Sequence, residues 1–90
     1  MVVKVFTHDG NMVLIDGIKM INRRYVEGEE SLLMSSETLE YVPPDFPKDQ
    51  KRIEMFLYQD RGGSDLHSIQ VIAQEPVFVM NDHGETIDRL

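Results

Sequence analysis

The second half of the chain carries the clearest alternation of apolar and polar positions. Apolar residues occupy every second position of two segments: Ile53, Met55 and Leu57 in residues 51–58, and Ile69, Val71 and Ala73 in residues 66–73. A period of two is that of a β-strand with one buried face. The glycine-containing stretch 60–65 suits the turn of a hairpin. The pattern therefore predicts two antiparallel strands, with Gln70 on the opposite face of the second.

Residues 12–21, MVLIDGIKMI, predict a second β-hairpin. Two apolar runs flank Asp16 and Gly17, and Asp-Gly suits a type I′ turn, which needs positive φ at both central residues. Such a turn would place Ile15 opposite Ile18. Both faces of this hairpin would then be largely apolar, so we expect both to be covered by the rest of the chain or by a second one. If one apolar face is bare, that face is the expected interaction site, and the acidic segment described below is solvated surface.

Further β-rich runs complete the pattern and define the predicted fold class. They cover residues 2–7, 18–26, 77–80 and 85–90. We expect a mainly β fold over residues 1–90, a single small antiparallel domain of six to seven short strands in a meander-like barrel or curved sheet. The alternative is an α+β fold with one helix at about 31–41 or 47–59, since both segments also fit helical spacing.

Composition excludes several classes of protein. The chain has 90 residues and no cysteine, which rules out a disulfide scaffold, a thiolate zinc site and a cysteine nucleophile. No apolar run approaches the roughly 20 residues that a membrane-spanning helix needs. The first residues lack the layout of a signal peptide. We therefore expect a cytoplasmic protein without a membrane association.

Acidic residues are concentrated between positions 27 and 45. The net charge of the chain is −7, and this segment holds six acids and no base. An acidic surface disfavours direct binding to nucleic acid and favours a basic partner protein. The candidate partner-binding residues are Glu27, Glu29, Glu30, Glu37, Glu40, Tyr41, Asp45 and Phe46. A related hypothesis is a nucleic-acid mimic that inhibits a DNA- or RNA-handling protein by occupying its basic groove.

Two predicted turns offer an alternative, a metal or small-ligand site. His8 and Asp9 lie in one turn, and Asp82 and His83 lie in another. Two imidazoles and two carboxylates can bind zinc or a similar ion if the turns converge. Both pairs also fit ordinary turn chemistry next to a glycine, which is the simpler interpretation.

Catalytic motifs are missing from the sequence. Gly62-Gly63 is followed by neither the lysine nor the spacing of a phosphate-binding loop, and no serine lies in a nucleophile-elbow context. A hydrolase built on scattered carboxylates is the weakest hypothesis. The sequence therefore favours a non-catalytic interaction or regulatory module without a cofactor. It would bind a partner protein through the acidic segment or an exposed strand edge, with a homodimer through that edge as a variant.

Overall fold

The computed structural model describes residues 1–28, 34–60, 62 and 66–90. Eight strands lie in these ranges: β1 Val2–Phe6, β2 Met12–Ile15, β3 Ile18–Val26, β4 Thr38–Glu40, β5 Arg52–Asp60, β6 Leu66–Ala73, β7 Phe78–Met80 and β8 Thr86–Arg89. Among the described residues there is no helix of the length and apolarity that crossing a membrane requires.

The strands form two four-stranded sheets. Sheet A has the order β2-β1-β7-β8, and sheet B has the order β3-β5-β6-β4. All pairs are antiparallel except β4 with β6, which is parallel. The mainly β class is confirmed, but the meander-like barrel is wrong, because two separate sheets bring together strands that are distant in sequence. The eight strands of the described residues are roughly consistent with the expected six to seven.

The two helical alternatives do not describe the observed elements. Residues 52–60 form β5, and the strand interpretation of this segment is confirmed. The helix alternative for residues 31–41 is wrong in the part that the structure describes, because residues 38–40 form β4. Residues 31–33 lie outside the described part of the chain. The apolar residues of β5 alternate with a period of two, which fits a strand. A helix would instead have apolar residues three or four positions apart.

The inner faces of both sheets supply one hydrophobic core, and the predicted alternation identifies most of it. The core residues of sheet B include Ile53, Met55, Leu57, Ile69, Val71 and Ala73, all buried. Sheet A contributes Val3, Val5, Ile15 and Val79, and Val77 and Leu90 lie beside them directly before β7 and directly after β8. Full burial of an aliphatic side chain contributes about 1.5–3 kcal/mol, so these two rows hold the sheets together.

Asp16 and Gly17 form a corner between the sheets, so the predicted hairpin is wrong. β2 pairs with β1, and β3 pairs with β5. Gly17 has φ +67°, but Asp16 has no positive φ, so the type I′ turn cannot form. The Asp60 amide donates to the Gly17 carbonyl (3.0 Å), which ties the corner to sheet B. The chain thus passes from one sheet to the other at this point, as strands do at the corners of sandwiches.

Candidate functional site

The outer face of sheet A is an exposed apolar surface. Directly paired residues of antiparallel strands share a face, and the register pairs Lys4 with Leu14 and with Phe78. The same register defines the whole face. Its members are Val2, Lys4 and Phe6 of β1, Met12 and Leu14 of β2, Phe78 and Met80 of β7, and Thr86 and Arg89 of β8. Six of these nine side chains are apolar.

The most exposed apolar side chains of this face lie on β2. Met12 is 53% exposed and Leu14 is 51% exposed. Phe6, Phe78 and Met80 are half-buried beside them. Nothing among the described residues encloses this side of β2, so the chain itself does not supply the predicted cover, and cover by a second chain stays a prediction. The bare face is the one that the sequence associated with an interaction site.

Two cations and two aromatic rings form the centre of the outer face of sheet A. Phe6 and Phe78 meet edge to face, with centroids 6.2 Å apart. Lys4 Nζ lies 4.9 Å from the Phe78 centroid and 5.9 Å from that of Phe6, and Arg89 Cζ lies 5.8 Å from the Phe78 centroid. Such contacts contribute about 0.5–1 kcal/mol each at exposed sites. Lys4 and Arg89 are the charged members of the nine, so this face is locally cationic on an acidic protein.

The outer face of sheet B differs, because its centre is covered. Glu54, Gln70 and Ile72 are each 1% exposed although they point away from the core. The Ser35 amide donates to Gln70 Oε1 (3.0 Å), and Arg24 Nη2 lies 3.4 Å from Glu54 Oε2. The chain itself therefore covers the centre of this face. Among the described residues, no such cover lies over the centre of the outer face of sheet A.

The acidic candidates are spread around sheet B. Glu27 follows β3 and Glu40 ends β4, which are the two opposite edge strands. Two strands separate these edges, a distance of about 14 Å at 4.8 Å per strand. Glu37 bonds to His67 and is only partly exposed. These carboxylates therefore do not converge on one point, and Glu29 and Glu30 lie outside the described residues.

The remaining candidates of the acidic segment have structural contacts. The Tyr41 amide donates to the Ile72 carbonyl (2.8 Å), and burial raises the pKa of the Tyr41 phenol. The Phe46 amide donates to the Pro43 carbonyl (3.0 Å) in the proline-rich loop. Asp45 is exposed beside it. Tyr41 packs against the core, so it anchors the chain after β4.

The two histidine-containing turns lie at opposite ends of sheet A. Each turn leaves a central strand at its carboxyl end, and β1 and β7 are antiparallel neighbours. The structure therefore does not bring the His8–Asp9 pair and the Asp82–His83 pair together. In the portion of the chain that is described, no three His, Cys, Asp or Glu residues form a group that could hold a metal ion.

The polar side chains of the turn at residues 7–11 form hydrogen bonds with one another. The Thr7 hydroxyl bonds to the Asp9 carboxylate, and this bond lowers the pKa of Asp9. Asn11 Nδ2 donates to the same carboxylate (3.0 Å). Asp9 therefore stabilises its own turn, as the simpler interpretation of the pair had it.

Sequence reasoning found one strand of the apolar face and missed the others. The apolar residues on both faces of 12–15 marked this strand, but they did not distinguish the face of Met12 and Leu14 from the opposite face. Phe6, Phe78 and Arg89 were missed, because their common face depends on the pairing of β1 with β7, which are more than 70 residues apart. The available signal was apolar residues at consecutive positions in 2–6 and 77–80, which indicates strands with two apolar faces.

Comparison of the chain with protein families, with curated proteins and with solved structures gives no match. The function must therefore be inferred from the chemistry of the outer face of sheet A.

Proposed function

We propose that this chain is a non-catalytic cytoplasmic interaction module that binds a partner protein through the outer face of sheet A. The observation that carries the proposal is the exposed apolar strand face with Met12 and Leu14 at its margin and the Phe6–Phe78 pair at its centre. Contiguous exposed apolar surface on a small protein is characteristic of an interaction site. Aromatic side chains near the centre of such a surface are typical binding hot spots.

The charges of this face define the chemistry of the partner. Lys4 and Arg89 are its charged side chains, whereas the chain as a whole carries −7. The complementary surface is apolar with carboxylates at its edge, because these would meet the two cations while apolar side chains cover Leu14 and Phe78. The partner is thus acidic at the contact, the reverse of the basic partner that the acidic segment favours.

Salt dependence separates this mode from docking through the acidic segment. An acidic partner is repelled by the net charge of −7 at long range, and salt screens that repulsion over about 8 Å at physiological ionic strength. Salt also weakens the attraction of Lys4 and Arg89 for carboxylates, but the apolar contacts are not screened, so binding through the apolar face should change little as salt rises. Binding of a basic partner to Glu27, Glu40 and Asp45 should weaken as salt rises, because attraction between exposed charges is screened.

The experiment compares four immobilised proteins for capture of partners from a lysate of the source organism. They are the unchanged protein, Leu14→Lys in the outer face of sheet A, Leu39→Lys as a matched leucine exposed on β4, and the double variant Glu27→Lys/Glu40→Lys in the acidic segment. Quantitative mass spectrometry of the captured proteins, at low and high salt, is the measurement. Circular dichroism confirms that each variant is folded.

The proposal expects one protein to be lost with Leu14→Lys and retained with Leu39→Lys and with Glu27→Lys/Glu40→Lys. It also expects that protein to be retained at high salt. Loss with the double variant and retention with Leu14→Lys would contradict the proposal and support the acidic segment as the binding surface. Release by nuclease treatment, with sensitivity to the double variant, would instead support the nucleic-acid mimic.

A further inference from the structure

The four edge strands of the two sheets differ in charge. β3 carries Lys19, Arg23 and Arg24, β4 carries Glu40, β8 carries Asp88 and Arg89, and β2 consists of Met12, Val13, Leu14 and Ile15. Charged residues protect strand edges from pairing with other chains. β2 is the one edge of the described sheets without such a residue. Its free edge is therefore the least protected one.

The hydrogen-bond pattern of the β1–β2 hairpin shows which backbone groups this edge offers. The Thr7 amide donates to the Asn11 carbonyl (2.8 Å), so residues 7 and 11 form a hydrogen-bonded pair. Hydrogen-bonded and non-hydrogen-bonded pairs alternate along antiparallel strands. The pair of Val5 with Val13 is then hydrogen-bonded, and the N–H and C=O groups of Met12 and Leu14 point away from β1.

We propose that the free edge of β2 pairs with the same edge of a second copy of this chain. A two-fold axis perpendicular to the sheet at Val13 places Met12 of each copy opposite Leu14 of the other. Their outward N–H and C=O groups then form four backbone hydrogen bonds. Self-pairing of β2 brings no charged side chains together, because this strand has none. Self-pairing of β3 would place lysine and arginine side chains of the two copies against each other. The edge of β2 is therefore self-complementary.

The pairing joins two copies of sheet A into one eight-stranded sheet. Met12 and Leu14 of both copies become adjacent on its outer face, so the two apolar surfaces become continuous. The inference is independent of the proposed docking function, since it concerns the edge of β2 and not the partner that covers its outer face. Closed two-fold pairing also leaves no second free β2 edge, which stops further growth.

The size of the contact predicts a weak, reversible dimer. Four residues per copy bury far less than the roughly 1,200 Å² typical of stable complexes, which places the dissociation constant at about 10 μM to 1 mM. A net charge of −7 on each copy opposes association at low salt. Added salt therefore strengthens the dimer, because it screens this repulsion.

Sedimentation equilibrium over a range of protein concentrations tests the proposal with two variants at one position. Leu14→Pro removes the outward N–H while leaving the β1 pairing in place, since proline is tolerated at edge positions whose N–H faces solvent. Leu14→Ala removes the same apolar side chain but keeps the N–H. We expect Leu14→Pro to weaken the dimer about ten-fold more than Leu14→Ala, which corresponds to about 1.4 kcal/mol. Lys4→Glu, measured at high salt where the added negative charge is screened, is the control for the outer face of sheet A and should leave the dimer constant close to that of the unchanged protein.

Hydrogen exchange provides a measurement that needs no variant. The amides of Met12 and Leu14 should exchange more slowly at high protein concentration, while the amides of the β3 edge should not change. A monomer at all concentrations, equal dimerisation of Leu14→Pro and Leu14→Ala, or concentration-dependent protection on β3 would each overturn the proposal. A variant that still dimerises but no longer captures its partner would support the dimer. It would also show that the dimer does not depend on the proposed docking function.

Discussion

Two leucine-to-alanine variants test directly whether the outer face of sheet A is bare. Leu57 lies on the inner face of sheet B and has no exposed surface, whereas Leu14 is 51% exposed. Leu57→Ala removes buried carbons and leaves a cavity, which costs about 2–5 kcal/mol. Leu14→Ala removes three carbons worth about 0.8 kcal/mol each when buried; half of this is already exposed and no cavity forms, so the expected cost is about 1 kcal/mol.

Urea denaturation followed by circular dichroism measures both values. In a thermal scan, a domain of this size shifts its melting temperature by about 4–8 °C per kcal/mol, so Leu57→Ala should melt at least about 8 °C below the unchanged protein and Leu14→Ala about 4–8 °C below it. Both experiments should be run at low protein concentration, where the chain is monomeric. If Leu14→Ala is as costly as Leu57→Ala, then Leu14 is packed rather than exposed, and the docking face does not exist.

Three further predictions concern glycines and one tyrosine, each checked by urea denaturation. Gly10 and Gly17 both have positive φ, which costs an L-residue about 1–2 kcal/mol, so alanine should destabilise at either position. Gly17→Ala should cost more, because its new Cβ would also lie 3.3 Å from the Asp60 carbonyl oxygen. Equal losses would contradict the corner geometry. Gly84→Ala should cost the same as Gly10→Ala, since their φ values are +82° and +85° and open space surrounds both; a clear difference would mean that the two turns are not equivalent. Burial raises the pKa of Tyr41 above its ordinary 10.0, so the stability that its neutral phenol contributes is complete below pH 10 and is lost as pH rises further. Tyr41→Phe should therefore lose less stability above pH 10 than the unchanged protein, and an identical alkaline loss would refute this assignment.

The regular alternation in residues 51–58 and 66–73 was enough to predict two strands, their buried faces and their antiparallel pairing. This succeeded because one face of each strand lies in the core, so a one-residue slip would expose every buried side chain. The pairing of β4 with β6 was not predictable in this way. β4 has only three residues, and its parallel register depends on contacts with a strand 26 or more residues away.

The Asp16–Gly17 prediction failed for a different physical reason. Asp-Gly favours a tight turn locally, but Ile15 and Ile18 are both buried when β2 pairs with β1 and β3 pairs with β5. The positive φ of Gly17 serves the corner between sheets just as well as a hairpin. Local turn chemistry thus specified a change of direction, and burial in the core decided which strands paired.

The candidate site was predictable only in part. The apolar character of both faces of 12–15 indicated a strand that is either fully covered or reserved for a partner, but not which face is bare. The structure shows that it is the face of Met12 and Leu14. Lys4 and Arg89 were not identifiable, since their positions beside Phe78 arise from two separate strand pairings. The acidic segment had the more prominent sequence signal, but its described carboxylates are spread over opposite edges of sheet B.

Site-specific photocrosslinking in living cells of the source organism tests the central claim most directly. A photoreactive phenylalanine analogue would replace Leu14 on the outer face of sheet A, Leu39 on β4, or the exposed Asp45 of the acidic segment. The account predicts an adduct with one partner protein from position 14, diminished when Lys4→Glu and Arg89→Glu are added, and no adduct with that protein from positions 39 or 45. An adduct that forms from position 45 and not from position 14 would contradict it.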